Sequence, residues 1–190
     1  MSASGHETEI KLRMRDAADA RKLLRTAGFR VFRRRIFEAN TLFDTADLKL
    51  RAAQQLVRVR EAGSTVTVTY KGAPEASRYK SREELEVEAS DAAAISRILD
   101  RLGFHPVFRY EKHRTEYRKG KSGGIATVDE TPIGVFMELE GEPKWIDRAA
   151  RGFGFREEEY ITLSYGRLYL NWCAEHGIQP RDMLFRRKAP

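Results

Sequence analysis

Glu7, Glu9 and Lys11 stand at every second position in "ETEIKL", and Glu138 and Glu140 repeat that spacing in "VFMELEG". Strand side chains alternate between faces, so each charged set shares one face, while Ile10 and Leu12, or Met137 and Leu139, take the other. Cations recur at the same spacing between them: Arg58 and Arg60 in "LVRVRE", Lys71 in "TVTVTYK", and Lys112 and Arg114, with Glu116, in "YEKHRTE". "SREELEVE" sets Arg82, Glu84, Glu86 and Glu88 against Leu85 and Val87, and "ATVDE" adds Asp129. Clustered carboxylates are hard oxygen donors that suit Mg²⁺ or Mn²⁺, and guanidinium forks suit phosphate oxygens.

Two placements of these faces are open. On a curved antiparallel sheet with its charged face in water, any one of these strands is ordinary. Yet the charges come in blocks, acidic towards both ends of the chain and basic in the middle, and like charges side by side cost stability. Turned inward, the faces would line a barrel wide enough for solvent or ligand. Seven bases (Lys11, Arg58, Arg60, Lys71, Arg82, Lys112, Arg114) would meet seven acids (Glu7, Glu9, Glu84, Glu86, Asp129, Glu138, Glu140). Such a lining is neutral in sum but divided into zones, and isolated buried charge is expensive without partners. A polyphosphate with divalent cations supplies them.

The elements that position these residues follow from period and punctuation. "DAADARKLLRTAGF" from Asp16 matches "DAAAISRILDRLGF" from Asp91 without a gap, 75 residues on. Each reads as a helix with an Asp N-cap, apolar residues at helical spacing and a Gly at the C′ position, then Phe. The preceding segments correspond too, Glu7, Glu9 and Lys11 onto Arg82, Glu84 and Glu86, which reads as a duplicated strand-and-helix unit. A third helix with Gly-Phe, "IDRAARGFGF", follows "VFMELEG". Between the helices the period is two, in "FEANTLFDT", "QLVRVREA", "TVTVTYKG", "FRYEKHRTEY", "GIATVDE" and "GVFMELEG", predicting antiparallel strands. "REAGSTV" and "RKGKSGGI" read as hairpin turns, and "SYGRLYLNWCAEHG" as a last helix capped by Ser164 and stopped near Gly177.

The 190 residues read as one domain, with only "MSASG" and "FRRKAP" loose at the ends. Lys and Arg number 35 against 28 Asp and Glu, a net charge of +7 that favours polyanionic partners. A single cysteine, Cys173, excludes an intramolecular disulfide framework. No cationic-then-apolar leader or long apolar run is present, so the expectation is a soluble, cytoplasmic protein without a membrane partner. With no Walker-type glycine loop, phosphate must be held by side chains.

With these residues in view the chain resembles CYTH proteins of the triphosphate tunnel metalloenzyme superfamily. Glu7-Thr-Glu9-Ile-Lys11 matches the family's Glu-x-Glu-x-Lys. More specific is the order of "LFDT", "LVRVRE", "TYKG", "SREELEVE", "EKHR", "TVDE" and "GVFMELEG", over 7–140, with a helical closure at 145–177. The resemblance implies an α+β fold, a closed eight-stranded antiparallel β-barrel enclosing a triphosphate tunnel, with helices outside. It implies that Glu7, Glu9, Glu138 and Glu140 ligate Mg²⁺ or Mn²⁺, with Asp129 assisting. Lys11, Arg58, Arg60, Lys71, Arg82, Lys112 and Arg114 would grip phosphates, and Glu84 and Glu86 would serve near the metals or water. Where relatives often carry Tyr before Phe-Asp-Thr, this chain has Leu42, so any role of that hydroxyl is in question.

The family includes triphosphatases, acting on inorganic, thiamine or nucleoside triphosphates, and class IV adenylate cyclases. "SREELEVE" and "ITLSYGRLYL" resemble the cyclase-like prokaryotic branch. Hydrolysis requires only water and the shared core, so the reading is a metal-dependent triphosphatase, with adenylate cyclase as the alternative. A noncatalytic polyphosphate or RNA binder stands below both, because paired carboxylates on two distant strands repel phosphate. Monomer and homodimer stay open. His6 and His113 read as structural or surface residues; His105, His176 and Cys173 lie at no metal-ligand spacing with each other, and Cys173, Trp145, Trp172, Tyr165 and Tyr169 read as helix packing. Arg33, Arg34 and Arg35 read as a solvated run, one of which could reach a tunnel mouth.

Overall fold

The structure is a computed structural model and describes residues 3–120 and 123–186. Lys121 and Ser122 of the expected "RKGKSGGI" turn, and residues 1–2 and 187–190 of the two expected loose ends, lie outside the described residues, whereas Ala3, Ser4 and Gly5 of "MSASG" belong to the first strand rather than to a loose end. Eight strands form in chain order: β1 (Ala3–Met14), β2 (Arg30–Asp44), β3 (Leu56–Ala62), β4 (Thr65–Lys71), β5 (Lys80–Ala89), β6 (His105–Arg118), β7 (Gly124–Thr131) and β8 (Gly134–Gly141). They close into a barrel in the order β1-β5-β4-β3-β2-β6-β7-β8, every pair antiparallel. The seam joins distant parts of the chain: Glu9 lies opposite Glu140 and Lys11 opposite Glu138.

The charged faces point inward. Lys11, Glu9, Lys71, Arg82, Lys112, Asp129 and Glu138 are all buried, yet the hydrophobic core lies on the other side of the same strands. Ile10, Leu12, Ala126, Val128, Met137 and Leu139 form the outer surface of the barrel, against Ala20, Leu24, Phe29, Trp145, Ile146 and Ala150 of the covering helices and their ends. Alternation thus divides each strand between packing outside and polar contacts inside.

The helices start and stop as their punctuation requires. In α1 (Ala17–Thr26) the Asp16 carboxylate accepts from the Asp19 amide at 2.8 Å; after the short α2 (Lys49–Ala52), α3 (Ala92–Arg101) repeats this with Asp91 and Ala94 at 2.9 Å. α4 (Pro143–Gly152) begins on proline, which gives up an amide that has no helical partner there. These three ten-residue helices, α1, α3 and α4, each end on a left-handed glycine, Gly28, Gly103 and Gly154, at φ +86°, +87° and +88°. The next amide then donates back five residues, Phe29 to Leu24, Phe104 to Leu99 and Phe155 to Ala150, at 2.9 to 3.0 Å. Asp44 of "LFDT" is a capping residue: its carboxylate accepts from the amides of Thr45, Leu50 and Arg51 around α2.

The last helix, α5 (Tyr165–Glu175), is capped by Ser164, whose hydroxyl accepts from the Arg167 amide. It covers the barrel end that β1 reaches at Met14, burying Tyr165, Leu168, Tyr169 and Cys173 against Tyr110, Ile133 and Phe136. Two straps tie it down. Before it, Ile161 exchanges backbone bonds with Lys11 of β1 at 2.8 and 2.9 Å. After it, Met183 does the same with Arg109 and Glu111 of β6 at 2.9 Å each. Among the described residues no helix is long and apolar enough to cross a membrane.

Candidate active site

The barrel encloses a cavity of about 550 Å³ lined by all seven of the expected basic residues and by Glu7, Glu9, Glu84, Glu86, Glu138 and Glu140. Asp129 lies beneath the lining, fully buried behind Lys112 and Arg114. Exposure measures depth: the side chains of Lys11, Glu9 and Glu7 are 2%, 7% and 11% exposed, and those of Arg82, Glu84 and Glu86 are 6%, 19% and 32%. The cavity therefore opens at the amino-terminal end of β1 and deepens towards α5.

The charges are interlocked. Lys11 Nζ donates to Glu9 at 2.8 Å and lies 3.2 Å from Glu138; Lys80 Nζ donates to the same Glu9 oxygen at 2.6 Å. Lys71 pairs with Glu7, and with Glu84 at 3.0 Å. Arg58 donates to Thr69 at 3.1 Å and lies 3.8 to 3.9 Å from Glu86 and Glu84, while Arg60 lies 3.3 Å from Glu86. Arg82 lies 4.0 Å from Glu7. Asp129 receives Lys112 at 2.8 Å and a fork from Arg114 at 2.7 and 2.6 Å, and Arg114 also pairs with Glu138.

These partners divide the carboxylates into two groups. Asp129 and Glu138 are held below the usual carboxylate range: burial opposes ionisation, but Arg114 with Lys112, or with Lys11, outweighs it. Glu9 is likewise held low, against burial, by Lys11 and Lys80. Glu140 behaves oppositely. Burial and the neighbouring Glu7 and Glu9 push it up to about 7, and among the described residues no cation lies within ion-pair distance. Glu7 is raised as well, by burial and then Glu9. Excess negative charge is thus concentrated where Glu7, Glu9 and Glu140 meet on β1 and β8, and a divalent cation there would relieve it. As the side chains stand, no three carboxyl, imidazole or thiol groups among the described residues are gathered as a finished cage. Of the five acids expected as ligands, Glu9, Asp129 and Glu138 each engage two basic side chains and Glu7 pairs with Lys71, whereas Glu140 has no such partner among the described residues.

Several buried polar residues of the barrel went unread in the sequence. Lys80 shares a face with Arg82 and follows the same period, but it precedes the stretch taken as strand; burial lowers its amine to about 8, against the pull of Glu9. Glu38 on β2 lies 3.5 Å from Lys112, and although burial opposes it, Lys112 and Arg114 hold its carboxyl down to about 2. Asn40, two residues on, is buried with neither amide atom hydrogen-bonded by the protein. The period-two pattern of "FEANTLFDT" contained the signal for both. Tyr165 had none. Its hydroxyl donates to Asp129 at 2.7 Å, and the Lys11 and Lys112 amines lie 5.3 and 5.2 Å from its ring centroid, so it is part of the site as well as of the packing.

At the mouth, irregular register on either side of Arg33 turns that residue to the cavity, 3.5 Å from Glu116, as expected for one arginine of the run. Arg35 instead forks onto Glu130 at 2.9 and 3.2 Å. His113 packs between Phe37 and Phe185, and His6 pairs with Glu75 at 3.2 Å. Leu42 lines the deep end beside Tyr110, whose hydroxyl with Glu84 supports the Arg58 charge against burial.

A family model described as "CYTH domain" matches residues 5–158. A protein of Methanocaldococcus jannaschii named "putative adenylate cyclase" is 31% identical over 135 residues, covering 70% of this chain and 75% of the relative. A solved structure from Vibrio parahaemolyticus, also named "putative adenylate cyclase", superposes with a TM-score of 0.73 at 18% identity, covering 87% of this chain and 98% of that one. Another, from Hippeastrum, superposes with a TM-score of 0.58 at 20% identity over 92% and 97% of the two chains; it is described as a "putative adenylyl cyclase" with a dominant triphosphatase activity. The two structural likenesses agree with the closed eight-stranded barrel, and by the extent of the model match the chain belongs to the CYTH domain family.

Proposed function

We propose that this chain is a divalent-metal-dependent hydrolase of triphosphate-containing substrates, inorganic, thiamine or nucleoside triphosphate, acting inside the barrel. The observation that carries this reading is the division of one buried cavity into a wall of cations and a pair of under-neutralised carboxylates, Glu7 and Glu140, beside Glu9. A triphosphate and a metal complement these two parts, and neither complements both.

Lys11, Arg58, Arg60, Lys71, Arg82, Lys112 and Arg114 bind phosphate oxygens, exchanging part of their present carboxylate contacts for the substrate. Glu84 and Glu86 hold Lys71, Arg58 and Arg60 in place until then. Glu7, Glu9 and Glu140 would hold Mg²⁺ or Mn²⁺, with Glu138 and Asp129 behind them. When bound, the metal neutralises developing charge and polarises water or a phosphoryl oxygen. In-line displacement at phosphorus gains mainly from positioning and charge neutralisation, which a preassembled cationic wall provides without reorganisation. Water attacks the terminal phosphorus, the bridging P–O bond breaks with the diphosphate portion as leaving group, and the attacked phosphorus is released as orthophosphate.

The second reading, cyclisation of ATP, is favoured by the name of the 31% identical relative. That name does not separate the reactions, since the Hippeastrum protein has it together with a dominant triphosphatase activity. Incubation with Mg²⁺ or Mn²⁺ and inorganic triphosphate, thiamine triphosphate or ATP, with products resolved by ³¹P NMR, tests both. Orthophosphate release is expected. Cyclic AMP with pyrophosphate would overturn hydrolysis in favour of the cyclase, and polyanion binding without turnover would leave a noncatalytic binder.

A further inference from the structure

We infer that Lys80 is a built-in cation standing where a second divalent ion would bind, so that the carboxylates of the cavity hold one metal ion and not two. This rests on the metal-dependent reading above and adds the number of ions. Lys80 lies directly opposite Glu9 across the β1–β5 pair. Its Nζ donates to Glu9 Oε1 at 2.6 Å, and Lys11 Nζ donates to the same oxygen at 2.8 Å. A carboxylate oxygen has two lone pairs, and these two ammonium groups fill both. Oε2 is then the oxygen that Glu9 can share with Glu7 and Glu140 in holding a metal. Two ions acting on one phosphoryl group stand about 3.5–4 Å apart, a spacing that a carboxylate spans with one oxygen on each ion. The acids beyond Glu9 are already spent. Glu138 has Lys11 at 3.2 Å from one oxygen and Arg114 on the other; Asp129 has Arg114 at 2.7 Å on Oδ1 and Lys112 at 2.8 Å on Oδ2. A second, deeper ion would therefore depend on Glu9 Oε1, and Lys80 occupies it.

Lys80 is kept in this position from outside the barrel. Tyr79, the residue before it, is buried in the outer core, where its hydroxyl donates to Asp147 of α4 at 3.0 Å; Arg78 pairs with the same carboxylate at 2.9 Å. With Tyr79 fixed outward, alternation turns Lys80 inward to the cavity that it lines. An ammonium group has three N–H donors, so after one is given to Glu9 two are left for phosphate oxygens. Lys80 thus neutralises Glu9 and can hold substrate, two tasks of the ion whose place it takes.

Titration of the intact protein with Mn²⁺, with the free ion followed by electron paramagnetic resonance, counts the ions. The wild type should bind about one equivalent, and Lys80→Met, which keeps the side-chain length and removes the charge, about two, with the spin coupling of a close pair. Lys80→Arg, which keeps the charge, should stay at the wild-type count. Two equivalents in the wild type overturn the inference and leave the metal-dependent reading intact. Absence of Mn²⁺ binding by the wild type overturns that reading and the inference with it. A folded Lys80→Met that keeps the wild-type count, or a Lys80→Arg that gains an ion, removes Lys80 as the cause. The wild-type count needs no variant and can refute the inference even where Lys80→Met does not fold.

Discussion

The units β1–α1 and β5–α3 are built on one local pattern and end in different environments. Both helices have ten residues, an Asp cap and a Gly-Phe exit. In α1, Ala20 and Leu24 are fully buried beside α4, and Phe29 meets the rings of Trp145 and Phe153 at 6.3 and 5.8 Å. In α3 no residue is buried, and Ile98 and Leu102 are 54% and 68% exposed. The difference lies in the neighbours: α1 shares its core with α4, whereas α3 lies on the smaller cluster of Phe43, Val59 and Val66. Caps and periodicity decide that a helix forms, and tertiary partners decide what it contributes. Inside the barrel the same contrast holds between Glu9 of β1, gripped by two ammonium groups, and Glu86 of β5, nearer the mouth.

The largest test of this contrast is catalytic. Glu9→Gln should lower kcat for inorganic triphosphate by about 10²–10³-fold, the range for removing one preorganised group that stabilises a transition state. Glu86→Gln should lose far less, and equal losses in steady-state kinetics would place the two strands on the same footing. Next comes packing. Leu24→Ala should destabilise by about 2–5 kcal/mol in urea unfolding, as for other fully buried leucines.

The third unit, β8–α4, sharpens the comparison through pH. Glu140 ionises near 7 in the folded protein against 4.5 ordinarily, so its contribution to stability is complete below pH 4.5 and is lost as pH rises through about 7. In chelator, Glu140→Gln should therefore gain on wild type by about 1–3 kcal/mol between pH 4.5 and 8. A stability difference that is the same at pH 5 and pH 8 would contradict the assigned environment. The smallest effect is expected at Leu102→Ala, within about 0.5 kcal/mol, because its side chain is already in water. A loss approaching that of Leu24→Ala would mean that α3 is covered in solution.

Much of the barrel was legible because a strand pattern has two faces and these faces differ in charge. All seven basic residues chosen by spacing line the cavity. Alternation identifies the faces without saying which is enclosed; the choice depends on α1 and α4 packing outside. The pairing of Asp129 with Arg114 was not legible, since it joins β6 to β7 through a register that periodicity leaves free. Tyr165 was beyond reach for a different reason: nothing near it in the sequence says that α5 lies across a barrel end. Lys80 was lost only at a strand boundary, where extending the period by one step recovers it.

The separation of each strand into an outer packed face and an inner charged face bears on how such a protein can change. Altering a residue inside the cavity removes no atom from the outer core, so it opens no void there. Neighbouring positions along one strand thus answer to different selective pressures, one for retaining the fold and one for choosing the ligand. New specificities can arise by single exchanges within the cavity while the outer shell stays as it is, limited only by the need to leave no ion without a counterpart.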